Sequence, residues 1–436
     1  MNRRRLIQAA LTGALGSGVP AFRVWGNSQE FYDGPLLVTL QLDGGADVTQ
    51  LCDPKTNTSG EPIINRWAET SDPEKVGNIL YAPVADNRRL FERFGSDMLV
   101  INGVDSQTNS HETGRLYNWT GSNAEGKPSL SALHAAYQSP EQPLAYAVYG
   151  GISRTAGIIN YNRFEHLNTM RTLTQPGIDY WSGNPKRPES EVLRAHSLVA
   201  DEVGRLFSSP SASPRRRSSL LRFSEARERR TNLEILGQLI PPEDQVEKEV
   251  SFAAGGEQFN SRLRQQMQSA LLVFKSGLGS AADLSLYRFD SHENHDEIHE
   301  ALYSHLTDAL FYFWDYAEEL GLADRILMVI GSDFGRTNFY NDGNGKDHWP
   351  IGSYMLMEKN APWGNRVVGL TDELHFAKAI DPSTLKESRD GVLMTPAHVH
   401  KAIQQYLGLD FFAKDIGHEL RNIESLPLFD PFLATT

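Results

Sequence analysis

The chain has 436 residues, a formal net charge of -13, ordinary apolar and charged fractions of 40% and 22%, and one cysteine, Cys52. The acid excess excludes nucleic acid as a main partner, because phosphate binding needs a basic face. A lone cysteine excludes an internal disulfide, and no stretch offers the unbroken apolar run of a membrane span.

Arg3-Arg4-Arg5-Leu6-Ile7 opens the sequence, a glycine-softened apolar run reaches about Val19, and Val19-Pro20-Ala21 offers short residues for a signal peptidase. The arginine pair, one further residue and Leu-Ile resembles a twin-arginine signal. Residues 1–21 therefore read as a signal peptide, with cleavage placed approximately. The expected partner is the twin-arginine export machinery, and the expected location is periplasmic or extracellular, in a bacterium. The segment holds three arginines and no acid, so its removal takes the net charge from -13 to -16. Residues 30–436 read as one domain, with no membrane span after processing.

Apolar, β-prone runs predict strands at 35–42, 98–104, 144–149, 326–330 and 353–357. Continuous apolar runs fit strands covered on both faces. Helical spacing predicts helices over 299–320 and over 395–407, the second with Pro396 in its first turn. The alternation predicts an α/β fold: three α-β-α layers with a mainly parallel central sheet. Residues 208–232 break the pattern. Their Ser-Pro loop with Arg215-Arg216-Arg217 and the following basic helix read as a solvated connector.

Four clusters carry candidate chemistry. Asp43-Gly44-Gly45-Ala46-Asp47 follows the first strand, where open α/β sheets place their sites. Asp290, His292 and His295, with His299 nearby, crowd imidazole and carboxylate, the ligands of zinc, manganese and iron. The bland alternative is a polar helix start capped by Asp290. Asp333 follows the 326–330 strand, and Arg336 is suited to clamp a phosphate or sulfate. A glycine-rich loop then delivers Lys346-Asp347-His348, in which Asp347 is placed to orient the His348 imidazole.

Gly331-Ser332-Asp333-Phe334-Gly335-Arg336-Thr337, the Asn-Gly loop and Asp347-His348-Trp349-Pro350 resemble an uncharacterised bacterial family, domain of unknown function 1501. The 40–47 block, the 110–122 segment and the 289–292 block match in order. That family is similar in fold to the alkaline-phosphatase and sulfatase superfamily. The resemblance implies an alkaline-phosphatase-like fold and a divalent metal (zinc, manganese or calcium) held by Asp43, Asp290, His292, Asp333 and His348. His295 is a substitute or addition. It also implies a hydroxyl nucleophile, matched best by Ser110 beside His111, with Arg336 or Arg115 on the ester oxygens. Phe334 departs from the pattern, because a histidine usually follows the Asp of that block; one metal is then expected rather than two. Cys52-Asp53-Pro54 faintly resembles a formylglycine site, but the arginine is missing and Cys52 reads as a small semi-buried residue.

The expected function is metal-dependent hydrolysis of a phosphate or sulfate ester, the substrate being a small anionic ester or a sulfated or phosphorylated glycan. The alternatives are a non-catalytic exported binding protein and a scaffold presenting Tyr117, Trp119, Phe339 and Tyr340 to a partner; core is the plainer reading of those aromatics.

Overall fold

A computed structural model describes residues 31–165, 167–179, 184–228 and 230–433. The expected signal at 1–21 lies outside the described residues. The central sheet has eight strands: β1 (Leu36–Leu42), β2 (Met98–Asp105), β3 (Tyr146–Val148), β4 (Asn162–Arg163), β5 (Ala281–Leu286), β6 (Ile326–Ser332), β7 (Ile351–Met357) and β8 (Arg366–Val368). Their spatial order is β8-β2-β7-β6-β1-β5-β3-β4. Only β7 runs against the rest, pairing antiparallel with both β6 and β2.

Helices α1 (His111–Thr120), α2 (Leu130–Gln138), α3 (Leu263–Lys275), α4 (His295–Glu319) and α5 (Pro396–Tyr406) cover the two faces. The period-2 alternation of β1 assigns the sides. Leu36, Val38, Leu40 and Leu42 share one core with Met267, Leu271 and Phe274 of α3 and Leu302, Leu306, Leu310 and Phe313 of α4. Leu37 packs with Leu327 and Val329 of β6, Leu130 and Leu133 of α2, and Val399 and Ile403 of α5. Each such side chain, fully buried, contributes about 1.5–3 kcal/mol. The three-layer, mainly parallel α/β architecture is the one the strand and helix alternation implied.

Register positions the site. Leu42 of β1 pairs with Leu286 of β5 and Ser332 of β6, so these three parallel strands end level. The loops holding Asp43, Asp290 and Asp333 therefore leave from one edge. β2 ends at this edge too, and the chain reverses into β7 here, directly after His348. The reversal of β7 is what brings the Asp347-His348 loop to the carboxyl edge.

Four local expectations change. β5, the neighbour of β1, carries no continuous apolar run; it is Ala-Ala-Asp-Leu-Ser-Leu and entirely buried. Its Asp283 is satisfied by the hydroxyls of Thr39 (2.7 Å), Ser153 (2.6 Å) and Tyr146, which is how a carboxyl group is tolerated in mid-sheet. The Arg215–Arg217 run belongs to a helix starting at Pro214 rather than to a loop, proline being tolerated at a first-turn position. Asp290 is no cap: α4 starts at His295, with Asn294 in the cap position at φ 49°. Tyr117 and Trp119 are buried, and Cys52 is fully buried rather than semi-buried. No helix among the described residues is long and apolar enough to cross a membrane.

Candidate metal centre

Three imidazoles and one carboxylate meet at the carboxyl edge. His111 opens α1, where its Nδ1 donates to Asp333 Oδ2 at 2.6 Å and its Nε2 lies 3.3 Å from Asp290 Oδ2. His348 donates from Nδ1 to the Asn109 carbonyl at 2.8 Å, and its Nε2 lies 3.1 Å from Asp290 Oδ1. His292 donates from Nδ1 to Asp347 at 2.8 Å, and its Nε2 lies 3.0 Å from Asp290 Oδ1 and 3.2 Å from His348 Nε2. Each ring is held through Nδ1 by an acceptor, which fixes the tautomer and aims Nε2 at Asp290. Metal-bound histidines are oriented in this way. Ligand atoms of His111, Asp290 and His348 lie within 4.8 Å of one another. Nitrogen and carboxylate donors in this number suit zinc or another divalent transition metal.

The electrostatics fit a cation at this point. Burial alone would raise the pKa of Asp290, but hydrogen bonds from His111 and Arg336 outweigh it and hold the carboxyl well below the usual range. The Asp290 and Asp333 carboxylates push His111 up to about 9, against the opposing effect of burial.

The expected ligands divide into two groups. Asp290, His292 and His348 come together, and His111, expected as a partner of the nucleophile, joins them. Asp333 stands behind. Its Oδ1 accepts from the Gly44 and Gly45 N–H groups at 3.1 and 2.6 Å and from Ser332 Oγ at 3.0 Å, while Oδ2 holds His111. Asp43 pairs with Arg115 at 2.6 Å, and burial pushes it up to about 6, with Arg115 opposing and Asp333 assisting. His295 is fully buried, with Nε2 on Asp47 and Nδ1 on Ser291 Oγ, both at 2.8 Å.

Arg336 is fully buried. It donates to the Gly45 and Lys346 carbonyls at 2.9 Å each, to the Gly44 carbonyl, and to Asp290 Oδ1 at 2.6 Å. Its donors thus tie the Asp43, Asp290 and Asp347-His348 loops to one guanidinium. Ser110 is the exposed residue preceding α1, and its hydroxyl makes no capping bond. Phe334 is buried against the His111 and His348 rings, with centroids 4.8 and 4.6 Å away. Cys52 lies in the core, and burial pushes its thiol far up, which leaves it unreactive.

The sequence placed His111 beside the expected nucleophile and not among the candidate ligands, and it did not reveal the Asn109 carbonyl as the acceptor for His348. The signal was present, because His111 sits six residues past a strand that ends at the same edge. A backbone carbonyl partner leaves no trace in residue identity.

No curated protein matches the sequence. Among solved structures, the chain is similar to a protein in the alkaline phosphatase superfamily from Vibrio parahaemolyticus, at 8% identity and TM-score 0.36, over 87% of this chain and 67% of that one. It is similar to the phosphonate monoester hydrolase of Agrobacterium radiobacter at 11% identity and TM-score 0.32, over 86% and 74%. The PsFucS1 sulfatase from Pseudoalteromonas sp. matches at 11% identity and TM-score 0.33, over 78% and 66%. The 40–47 and 110–122 blocks lie outside the family match, which spans residues 245–424. That matched segment, which carries Asp290, His292, Asp333 and His348, is similar to the family described as Protein of unknown function (DUF1501).

Proposed function

We propose that this protein is an exported, periplasmic, metal-dependent hydrolase of phosphate or sulfate esters. The observation that carries the reading is the convergence of His111, His292 and His348 Nε2 on Asp290, each ring anchored through Nδ1. His111, Asp290 and His348 would hold one divalent ion, with His292 beside them. When bound, such an ion supplies Lewis-acid polarisation of an ester oxygen.

The chain's own residues do the rest. Ser110, one residue before His111, offers an exposed hydroxyl at the start of α1, whose unpaired N–H groups favour developing negative charge. Attack by this hydroxyl on phosphorus or sulfur forms the new ester bond and releases the substrate's alcohol; water then cleaves the serine ester. Arg115, one turn further along α1 and 39% exposed, is the guanidinium placed to meet the equatorial oxygens. Arg336 positions Asp290 and the loops around it. Asp333 and Asp347 orient His111 and His292.

The test is to purify the mature protein from periplasm without a metal-affinity tag and to count bound metals by mass spectrometry. About one equivalent, lost in His348→Ala and Asp290→Ala, supports the reading and leads to a screen of phosphate and sulfate esters. No metal after supplementation sinks it. That result would favour a non-catalytic binding protein, a reading that Phe334, wedged against His111 and His348, already supports by denying the edge a further ligand.

A further inference from the structure

Beneath the metal centre lies a second cluster with no access to solvent. Asp47, Lys346 and His295 are each 0% exposed. Asp47 Oδ2 accepts from Lys346 Nζ at 2.6 Å and from His295 Nε2 at 2.8 Å. Its Oδ1 accepts from the backbone N–H and the hydroxyl of Thr49, at 2.9 and 2.7 Å. Lys346 Nζ also donates to Asn65 Oδ1 at 3.1 Å and lies 5.1 Å from the centre of the Tyr340 ring.

The three members come from three different segments of the carboxyl edge, two of which carry candidate ligands. Asp47 follows Asp43, His295 follows Asp290 and His292, and Lys346 precedes Asp347 and His348 by one and two residues. The backbone of Lys346 extends the connection: its N–H donates to the Ser291 carbonyl at 3.2 Å, and its carbonyl accepts from Arg336. A buried ion pair is a weak source of stability, because desolvating two charges offsets most of their attraction. Directional bonds from one carboxylate to several loops do fix where those loops stand.

We propose that Asp47 and Lys346 form a buried strut that sets the positions of His348 and Asp290, so that Lys346 is a positioning residue for the metal centre. The inference rests on the metal reading above. It extends that reading inward, to side chains that touch neither metal nor substrate.

The test compares the full mature chain with Lys346→Met and with the double variant Asp47→Asn/Lys346→Met. Cobalt(II) is titrated into each, its visible band is recorded, and hydrogen exchange of the 341–348 amides is followed. Both variants are expected to melt cooperatively, to bind cobalt about 10- to 100-fold more weakly, to show a shifted band and to exchange faster over 341–348. Folded variants that keep the parent's affinity, band and exchange overturn the strut. If Lys346→Met does not fold, the double variant decides, because it leaves no unpaired buried carboxylate. A parent that binds no cobalt defeats the metal reading instead; faster exchange in the variants would still support the strut, and unchanged exchange would overturn it.

Discussion

His111 turns its Nδ1 onto Asp333, 2.6 Å from Oδ2, and this bond leaves Nε2 facing Asp290. Asp333 is itself fixed through Oδ1 by the Gly44 and Gly45 amides. A carboxylate anchored by glycines at the end of β1 thus selects the tautomer of a histidine at the start of α1.

Asp333→Asn should break that selection. The amide oxygen would keep the two glycine N–H groups, and the NH2 would then face His111 Nδ1 and force the proton onto Nε2. Metal affinity should fall by at least about 10- to 100-fold with little change in secondary structure. Isothermal titration with zinc checks this; unchanged affinity would remove Asp333 from the supporting role.

Ser110→Ala should separate binding from chemistry. The hydroxyl makes no capping bond, so its loss should leave fold and metal content intact. Turnover of any ester found in the screen should drop by about 1,000-fold or more. Steady-state rates on metal-replete protein measure it, and a variant as active as the parent would rule out Ser110 as nucleophile.

Gly44→Ala should damage the site through the backbone. Gly44 has φ +118°, and a Cβ there would lie 2.5 Å from the Asp290 nitrogen. The strain is on the order of 1–3 kcal/mol, and relieving it must move the Asp290 loop. A lowered melting temperature together with weaker metal binding is expected; loss of neither would mean that the loop yields freely.

Acid should destabilise the fold through two buried histidines. Burial pushes His134 and His400 each down to about 4 from an ordinary value of 6.5. Each holds its ring neutral and donates to a carbonyl, Pro35 for His134 and Asn118 for His400. The folded pKa is below the unfolded one, so the unfolded chain takes up the proton first. Stability is therefore full above about 6.5 and is lost as the pH falls towards 4, by about 2 kcal/mol per histidine at pH 5. Urea unfolding at pH 7.5 and pH 5 should show the loss, and His134→Gln should reduce the difference between them. A pH-independent midpoint would contradict it.

Much of the frame was legible in the residues. The apolar runs at β1, β2 and β6 and the helical spacing of α4 and α5 mark buried elements, because burial of both sheet faces requires continuous apolar sequence. The polar blocks after β1 and β6 marked Asp43 and Asp333 as residues of one edge, while Asp290 and His348 stood out by their crowding of imidazole and carboxylate and joined that edge only through the family resemblance. β5 was hidden, because Asp283 is reconciled with burial only by hydroxyls from β1, β3 and the loop after β3.

The roles within the edge belong to tertiary structure. Asp43 and Asp333 resemble ligands by position, yet one pairs with Arg115 and the other spends its oxygens on amides and His111. Arg336 reads as an anion clamp in sequence and is a buried tie among loops in the fold. Sequence determined which side chains reach the carboxyl edge, because strand direction and hydrophobic pattern are local properties. Which nitrogen faces inward, and which carboxylate is already satisfied, depends on hydrogen-bond partners hundreds of residues away, and only the folded chain supplies them.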